Sequence, residues 1–169
     1  MNNTTKGALA TVNISKNMIR AAGAKHLSEA IKGHKTLTSL DVSGNEIGAY
    51  SRDNDGRAPW VPSPEGPAAI ADGALASVNI LKNKVGIDQA NILVGILKEH
   101  PTLKSLCGNK GNETELNMSG KMDGAEDAIM LAPEIVANGA LTSLNLSKNR
   151  ISATPEFIAA LTACLKFDS

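Results

Sequence analysis

The stretch Leu37-x-x-Leu40-x-Val42-x-x-Asn45-x-Ile47 decides the fold, because the same phrase recurs along the chain. Three further copies run from a first leucine to an apolar last residue: Leu9 to Ile19, Leu75 to Val85 and Leu141 to Ile151. An incomplete fifth copy contains Leu116-x-Met118 followed by Ser119-Gly120-Lys121. Self-similarity of this kind predicts a protein built from stacked structural repeats.

The spacing of the phrase identifies the kind of repeat. Its fourth position falls at Val12, Leu40, Val78, Leu116 and Leu144, so the first and last steps are equal and the two middle steps are longer. The shorter step, from Val12 to Leu40, gives the length of one repeat. A repeat of this length resembles the ribonuclease-inhibitor-like leucine-rich repeat, which consists of one short strand and one full helix. Each longer step is then one such unit with an insertion.

The resemblance implies an α/β fold, namely a leucine-rich repeat solenoid that forms a horseshoe segment of about five repeats. Parallel strands would line the concave face and helices the convex face. The whole chain, residues 1–169, is then a single domain. Its repeats start near Leu9, Leu37, Leu75, Leu103 and Leu141, with inserted loops at about 48–64 and 104–115.

The residue pattern supports this architecture independently. Within each phrase apolar residues alternate with polar ones, as in a strand that is buried on one face. Helical patterns lie between the phrases, for example at about 22–32, 65–72 and 155–166. Strand, helix and strand in succession predict parallel strands joined by helical crossovers. The main alternative, a doubly wound nucleotide-binding sheet, needs continuous apolar strands and a Gly-x-Gly-x-x-Gly motif, and the chain has neither.

Composition excludes several classes of function. Seventeen basic residues balance seventeen acidic ones, so nothing electrostatic favours binding to nucleic acid or to an anionic membrane. No apolar run approaches the ~20 residues that span a bilayer. The sequence from Met1 to Lys6 lacks the apolar core of a signal peptide. Cys107 and Cys164 form no disulfide framework, which indicates reduced thiols in a cytoplasmic protein.

The resemblance gives a structural role to one asparagine in each complete copy of the phrase. Such asparagines hydrogen-bond backbone groups of the adjoining turn and form a ladder along the stack. The predicted ladder consists of Asn17, Asn45, Asn83 and Asn149. Lys121 occupies the equivalent position of the incomplete copy, which predicts that this turn is the loosest of the stack.

The concave strand face is where proteins that share this resemblance most often bind. Its central row reads Asn13, Asp41, Asn79, Asn117 and Asn145. Lys16, Lys82 and Lys148 lie beside that row at a spacing that suits an acidic partner, and Leu81 is expected to be exposed. The predicted partner-binding residues of this face are Asp41, Asn79, Leu81, Lys82, Asn117 and Asn145. The alternative is a solvated face that repeat duplication has kept uniform.

The first insertion, at about 48–64, holds the only tyrosine and the only tryptophan of the chain. Tyr, Trp and Arg are the residue types that anchor protein interfaces, so the predicted anchors are Tyr50, Arg52, Arg57 and Trp60. The alternative is that Trp60 covers the core beside a short helix. The stretch Asp53–Gly56 is similar to part of a calcium-binding loop, but it lacks the bidentate glutamate, so an Asp-Gly turn is the expectation.

The second insertion, at about 104–115, is rich in glycine and polar residues and predicts a mobile loop or a small hairpin. Lys104 and Lys110 near Cys107 could lower the pKa of the thiol. However, no histidine accompanies them, and the chain shows no nucleophile–base pair, metal-ligand spacing or cofactor motif. The sequence therefore predicts neither an enzyme nor a metal or cofactor site.

The function that this sequence favours is a non-catalytic protein–protein interaction module that uses the concave strand face and the inserted loops. One alternative is a regulatory module that resembles the GTPase-activating branch of the same repeat type. Another is a purely structural segment of a larger scaffold or sensor. The terminal repeats lack polar caps, which predicts a homodimer through the uncapped ends or a piece of a longer array.

Overall fold

A computed structural model describes residues 9–32, 34–51, 60–62, 65–71, 75–151 and 155–165. Short strands alternate with helices along the chain. The strands are β1 (Thr11–Asn13), β2 (Ser39–Asp41), β3 (Ala49–Ser51), β4 (Trp60–Pro62), β5 (Ser77–Asn79), β6 (Glu115–Asn117) and β7 (Ser143–Asn145). The helices are α1 (Arg20–Ile31), α2 (Glu65–Ala71), α3 (Ile87–Glu99), α4 (Ala125–Ala137) and α5 (Pro155–Leu165).

Parallel pairing joins the strands that carry the repeated phrase. β1, β2 and β5 form one sheet, in which Val12 pairs with Leu40 and Leu40 pairs with Val78. β6 and β7 form a second parallel pair, in which Leu116 faces Leu144. Because every partner occupies the fourth position of its phrase, the register follows the sequence repeat. The prediction of parallel strands joined by helices is confirmed.

The helices pack side by side in chain order, each against the next. The leucine-like positions of the phrase and the inner faces of the helices share one buried core, which includes Leu40, Ile80, Leu93 and Met118. Each short strand is stabilised by burial against its neighbours, because it is too short to be stable alone. Within the described ranges, no helix is long and apolar enough to cross a membrane.

The described residues of the first insertion form two paired strands, whereas the sequence predicted only a loop. β3 and β4 pair antiparallel, with Tyr50 opposite Val61, and β3 contacts α1. This hairpin therefore lies on the helical side of the molecule. Gly48 precedes it, and its backbone runs so close to Val85 that an added Cβ would collide with the Val85 backbone.

The second insertion begins later than the sequence predicted. Residues 104–107 lie beside β5 in the place of the next strand: Val78 N–H donates to Ser105 O (2.9 Å) and Lys104 N–H donates to Ala76 O (2.8 Å). Leu103 and Leu106 are buried, and they occupy the positions that Leu75 and Val78 hold in the preceding phrase. The prediction of a loop at 104–115 is therefore wrong for residues 104–107, because Leu106 fills a core position.

Equivalent turns lead into the strands. His34 Nδ1 accepts the backbone N–H of Leu37 at 3.0 Å, and His100 Nδ1 accepts that of Leu103 at 3.1 Å. Asn138, at the matching position before Leu141, instead accepts the N–H of Ala140 at 3.0 Å. These histidines are therefore structural residues at helix-to-strand turns, and the His100 turn marks 103–107 as the start of a repeat.

The phrase asparagines connect one turn to the next. Asn83 Oδ1 accepts the backbone N–H groups of Asn45 (2.8 Å) and Ile47 (3.3 Å), while its Nδ2 donates to Val42 O (3.0 Å) and Ile80 O (2.8 Å). Asn45 makes the same set of bonds to the turn that contains Asn17. Asn149 makes a smaller set toward the turn of β6: its Oδ1 accepts one N–H, that of Met122 (2.9 Å), and its Nδ2 donates to Met118 O (2.9 Å) and Leu146 O (2.9 Å). Asn45 and Asn83 are completely buried, so their amides replace water as hydrogen-bond partners.

Replacing Asn83 by alanine should lower the free energy of unfolding by about 1–3 kcal/mol or more, because two buried N–H groups and two buried carbonyls lose a partner. Urea unfolding followed by circular dichroism measures the change. The matched control is Asn17→Ala, which removes an exposed amide that donates only within its own turn. Equal stability of the two variants would contradict the role given to the buried amide.

Candidate functional site

One face of the parallel strands is lined by polar residues, and we call it the strand face. Its central row is Asn13, Asp41, Asn79, Asn117 and Asn145. In each case the side-chain Oδ1 accepts the backbone N–H two residues further on, at 2.9–3.2 Å. The row therefore closes the turn after each strand, a structural role that the alternating pattern did not predict.

A cleft of about 420 Å³ opens on this face. It spans the strands from β1 to β5 and extends to the turn after β6. Its lining is polar and includes three lysines: the residues are Ser15, Lys16, Asp41, Ser43, Asn79, Leu81, Lys82, Cys107, Gly108, Asn109, Gly120 and Lys121. The Lys82 ammonium crosses it, donating to the carbonyl of Gly120 at 2.7 Å.

The structure brings four of the predicted partner-binding residues together in this cleft, namely Asp41, Asn79, Leu81 and Lys82. The expectation that Leu81 is exposed is wrong, because the residue is only 1% exposed and belongs to the apolar core. The expectation came from its position, which is equivalent to those of Ser15, Ser43, Ser119 and Ser147 in the other repeats. Here the adjoining segment turns away at Gly108, and Leu81 closes the core beside that turn.

Two more of the predicted residues lie on the strand face away from the cleft. Asn117 and Asn145 are exposed on β6 and β7 but do not line it. The backbones of Tyr50 and Trp60 belong to the hairpin on the helical side, while their side chains lie outside the described residues. Arg52, Arg57 and the Asp53–Gly56 stretch also lie outside the described residues.

Sequence reasoning missed the contribution of Cys107, Gly108 and Asn109 to the cleft. Gly108 has a φ of 79° and approaches Asn79 so closely that an added Cβ would lie 3.1 Å from the Asn79 Cβ. Only glycine adopts this conformation readily, so the turn at 108 depends on it. The sequence feature that indicates this turn is Leu103-x-x-Leu106. Its spacing is the same as that of Leu75-x-x-Val78 at the start of the preceding phrase.

The cleft lies over a break between the two parallel sheets, which we call the seam. At the seam the backbone of 105–107 has β5 on one side and no strand pairing on the other among the described residues. Glu134 of α4 supplies the acceptors instead. Its carboxylate accepts the N–H groups of Leu106 (2.7 Å) and Cys107 (3.1 Å), the Ser105 hydroxyl (2.8 Å) and the Asn109 amide (2.8 Å).

Asp127 lies on α4 two helical turns before Glu134, and its carboxylate accepts a backbone N–H of the turn after β5. In the turns after β1 and β2, the backbone N–H at the position equivalent to Lys82 donates to a carbonyl of the next repeat. Lys16 N–H donates to Ser43 O (2.8 Å), and Gly44 N–H donates to Leu81 O (3.0 Å). Lys82 N–H instead donates to the Asp127 carboxylate at 3.0 Å. Asp123 N–H donates to the same carboxylate at 2.9 Å.

Burial governs the ionisation of both carboxyl groups. It raises the pKa of Asp127 to about 6, against the backbone hydrogen bonds from Asp123 and Lys82, which act to lower it. Burial also raises the pKa of Glu134, while the hydrogen bonds from Ser105, Leu106 and Asn109 oppose it. The seam thus depends on two carboxyl groups whose charged forms are expensive to bury.

The Cys107 thiol is not activated as a nucleophile at this site. Burial raises the pKa of the Cys107 thiol, and the negative charges of Glu134 and Asp127 raise it further. The suggestion that Lys104 and Lys110 lower this pKa is therefore wrong, because the thiol lies inside the core. In the part of the chain that the structure describes, no group of three or more His, Cys, Asp or Glu is placed to hold a metal ion.

Replacing Glu134 by alanine should destabilise the fold by about 3 kcal/mol or more, because it leaves two buried backbone N–H groups and the Ser105 hydroxyl without an acceptor. Urea unfolding gives the change in free energy. The control is Glu29→Ala, which removes an exposed glutamate from α1. A loss no larger than that of the control would refute the role of Glu134 at the seam.

The raised pKa of Asp127 predicts a pH dependence of stability. The folded state binds a proton near pH 6, whereas the ordinary pKa is 3.8, so stability from this group rises as pH falls from about 7 to about 4. The rise should be on the order of 1–3 kcal/mol. Asp127→Asn should flatten this part of the pH profile of the unfolding free energy, measured in urea.

The matched control for this pH series is Asp88→Asn, which changes an exposed aspartate in the first turn of α3. It should keep the wild-type slope between pH 7 and pH 4. The assignment fails if Asp127→Asn and Asp88→Asn show the same slope as the wild type.

Two family models for the leucine-rich repeat match the chain, one over residues 33–49 and the other over residues 140–161. The matches fall on the phrases that begin at Leu37 and Leu141. No curated protein sequence shows significant similarity to the chain. The two matches, together with parallel strands joined by helices, support a leucine-rich repeat protein, and such repeats are generally non-catalytic and commonly mediate protein–protein interaction.

Proposed function

We propose that this chain is a protein-binding module of the ribonuclease-inhibitor-like subtype, a horseshoe-shaped solenoid of about five repeats whose strand face is concave. The subtype is supported by the length of the shorter step between phrases and by the regular succession of strand and helix. In this arrangement the strand face is the inner surface, and a partner docks across several strands at once.

The cleft carries this proposal. It gathers polar side chains from three adjacent strands and from the turn after β6, so that one partner segment can contact several repeats. The central row, four asparagines and Asp41, is held by hydrogen bonds to its own backbone, which pre-orders the surface. Pre-ordering favours binding because little conformational freedom is lost on association.

The first insertion has a different place in this proposal. Its strand β3 contacts α1 on the helical side, so the β3–β4 part of the inserted segment 48–64 would act as a second contact region, apart from the cleft. The GTPase-activator-like function, the purely structural function and self-association through the end repeats stay predictions. A cytoplasmic location also stays a proposal, in keeping with the unpaired, buried Cys107.

A peptide library displayed on phage tests the proposal directly. Peptides selected on the immobilised chain are retested on Ser43→Tyr, which adds bulk to the cleft, and on Ala22→Tyr, which adds the same side chain at an exposed site on α1. We expect selected peptides to bind the wild type and Ala22→Tyr alike and to lose at least about tenfold in affinity on Ser43→Tyr.

Both variants must retain the circular-dichroism spectrum and melting temperature of the wild type for the comparison to hold. Peptides that bind Ser43→Tyr as well as the wild type would place recognition elsewhere and overturn the proposal. The proposal is also overturned if selection enriches no peptide above a surface without the chain.

A further inference from the structure

The cleft carries an excess of positive charge. Lys16, Lys82 and Lys121 line it, against a single acidic residue, Asp41. Among the described residues, the ion pairs join other groups: His26 with Glu29, Lys84 with Glu46, and Arg150 with Asp123. The Lys82 ammonium bonds a neutral carbonyl, that of Gly120. The cleft lysines therefore keep their charge available to a bound molecule.

Two of these lysines occupy a backbone conformation that favours glycine. Lys16 and Lys82 both have a φ of 59°, and the equivalent residues of neighbouring turns are Gly44 (67°) and Gly120 (64°). Left-handed backbone is uncommon for residues with a side chain, so glycine would fit the same turns with less strain. The turn alone therefore does not require lysine at these positions; the equivalent residue after β7, Lys148, has the same conformation (φ 57°) outside the cleft.

The spacing of the lysines leaves room between them. Lys16 follows β1 and Lys82 follows β5, with β2 between, so the two turns are separated by roughly 10 Å. Gly44 occupies the intermediate turn and has no side chain to fill the gap. An added Cβ at Gly44 would lie 3.3 Å from the Lys16 Cγ, so a side chain there would crowd Lys16.

We infer that the cleft binds an acidic segment of a protein partner, whose carboxylates lie between the ammonium groups of Lys16 and Lys82 and beside Lys121. This inference rests on the proposed function of the strand face and names the chemistry of its partner. Asp41, held by the N–H of Ser43 at 2.9 Å, lies in the same cleft. A bound segment therefore places a neutral or basic residue over Asp41 and its acidic residues over the lysines.

The test uses a fluorescein-labelled hexaglutamate peptide titrated with the full chain in fluorescence polarisation. The key variant is the double substitution Lys16→Gly with Lys82→Gly, which removes two charges and fits the left-handed turns. The matched control is Lys148→Gly, whose residue has the same conformation (φ 57°) but does not line the cleft. A hexaserine peptide of equal label controls for binding through the dye.

We expect hexaglutamate to bind the wild type and Lys148→Gly alike and the double variant about tenfold more weakly. The affinity should fall as salt is raised, because exposed charge pairs are screened. Melting temperatures should be equal to or above that of the wild type, which separates lost binding from lost folding.

Equal affinity of the double variant and the wild type for hexaglutamate would overturn the inference. It is also overturned if hexaglutamate fails to bind while library-selected peptides still bind and still depend on Ser43, and in that case the proposed function stands. If the selected peptides are also insensitive to Ser43→Tyr, the proposed function and the inference fall together.

Discussion

The fold depends on hydrogen-bond acceptors for the backbone N–H groups that each turn directs toward the next repeat. Most of the turns solve this with carbonyls of the following repeat and with a buried asparagine whose amide serves two turns at once. A buried N–H without a partner costs about as much as the net stability that several hydrogen bonds contribute. The need for an acceptor at each buried N–H therefore also determines the structure where the repeat is interrupted.

At the seam the demand is met by side chains. The chain turns away at Gly108, and Asp127 and Glu134, two turns apart on α4, accept N–H groups of Lys82, Leu106 and Cys107 in place of a strand. Carboxylates can do this because each offers several acceptor sites, but burial raises their pKa values. The interruption also opens the cleft above it, so the candidate binding site and the weak point of the sheet share one origin.

The repeated phrase is enough to predict the strands, the helices and their parallel pairing, because alternation and register are properties of the local sequence. It could not predict the seam. There Gly108 and Gly111 occupy the positions at which the phrase has an apolar residue and an asparagine. Only Leu103 and Leu106 therefore match the phrase in this copy. The acceptors come from a helix further along the chain, a tertiary contact that no periodicity encodes. For the same reason Leu81 was predicted to be exposed and is buried.

Amide hydrogen exchange by NMR tests most directly whether carboxylates replace a strand at the seam. The amides to follow are those of Lys82, Leu106 and Cys107, with Gly44 and Ile80, which bond to backbone carbonyls, as internal references. If the account holds, the seam amides exchange as slowly as the references at neutral pH. Exchange at the rate of an open sheet edge would contradict it, because the carboxylates would then not hold those groups.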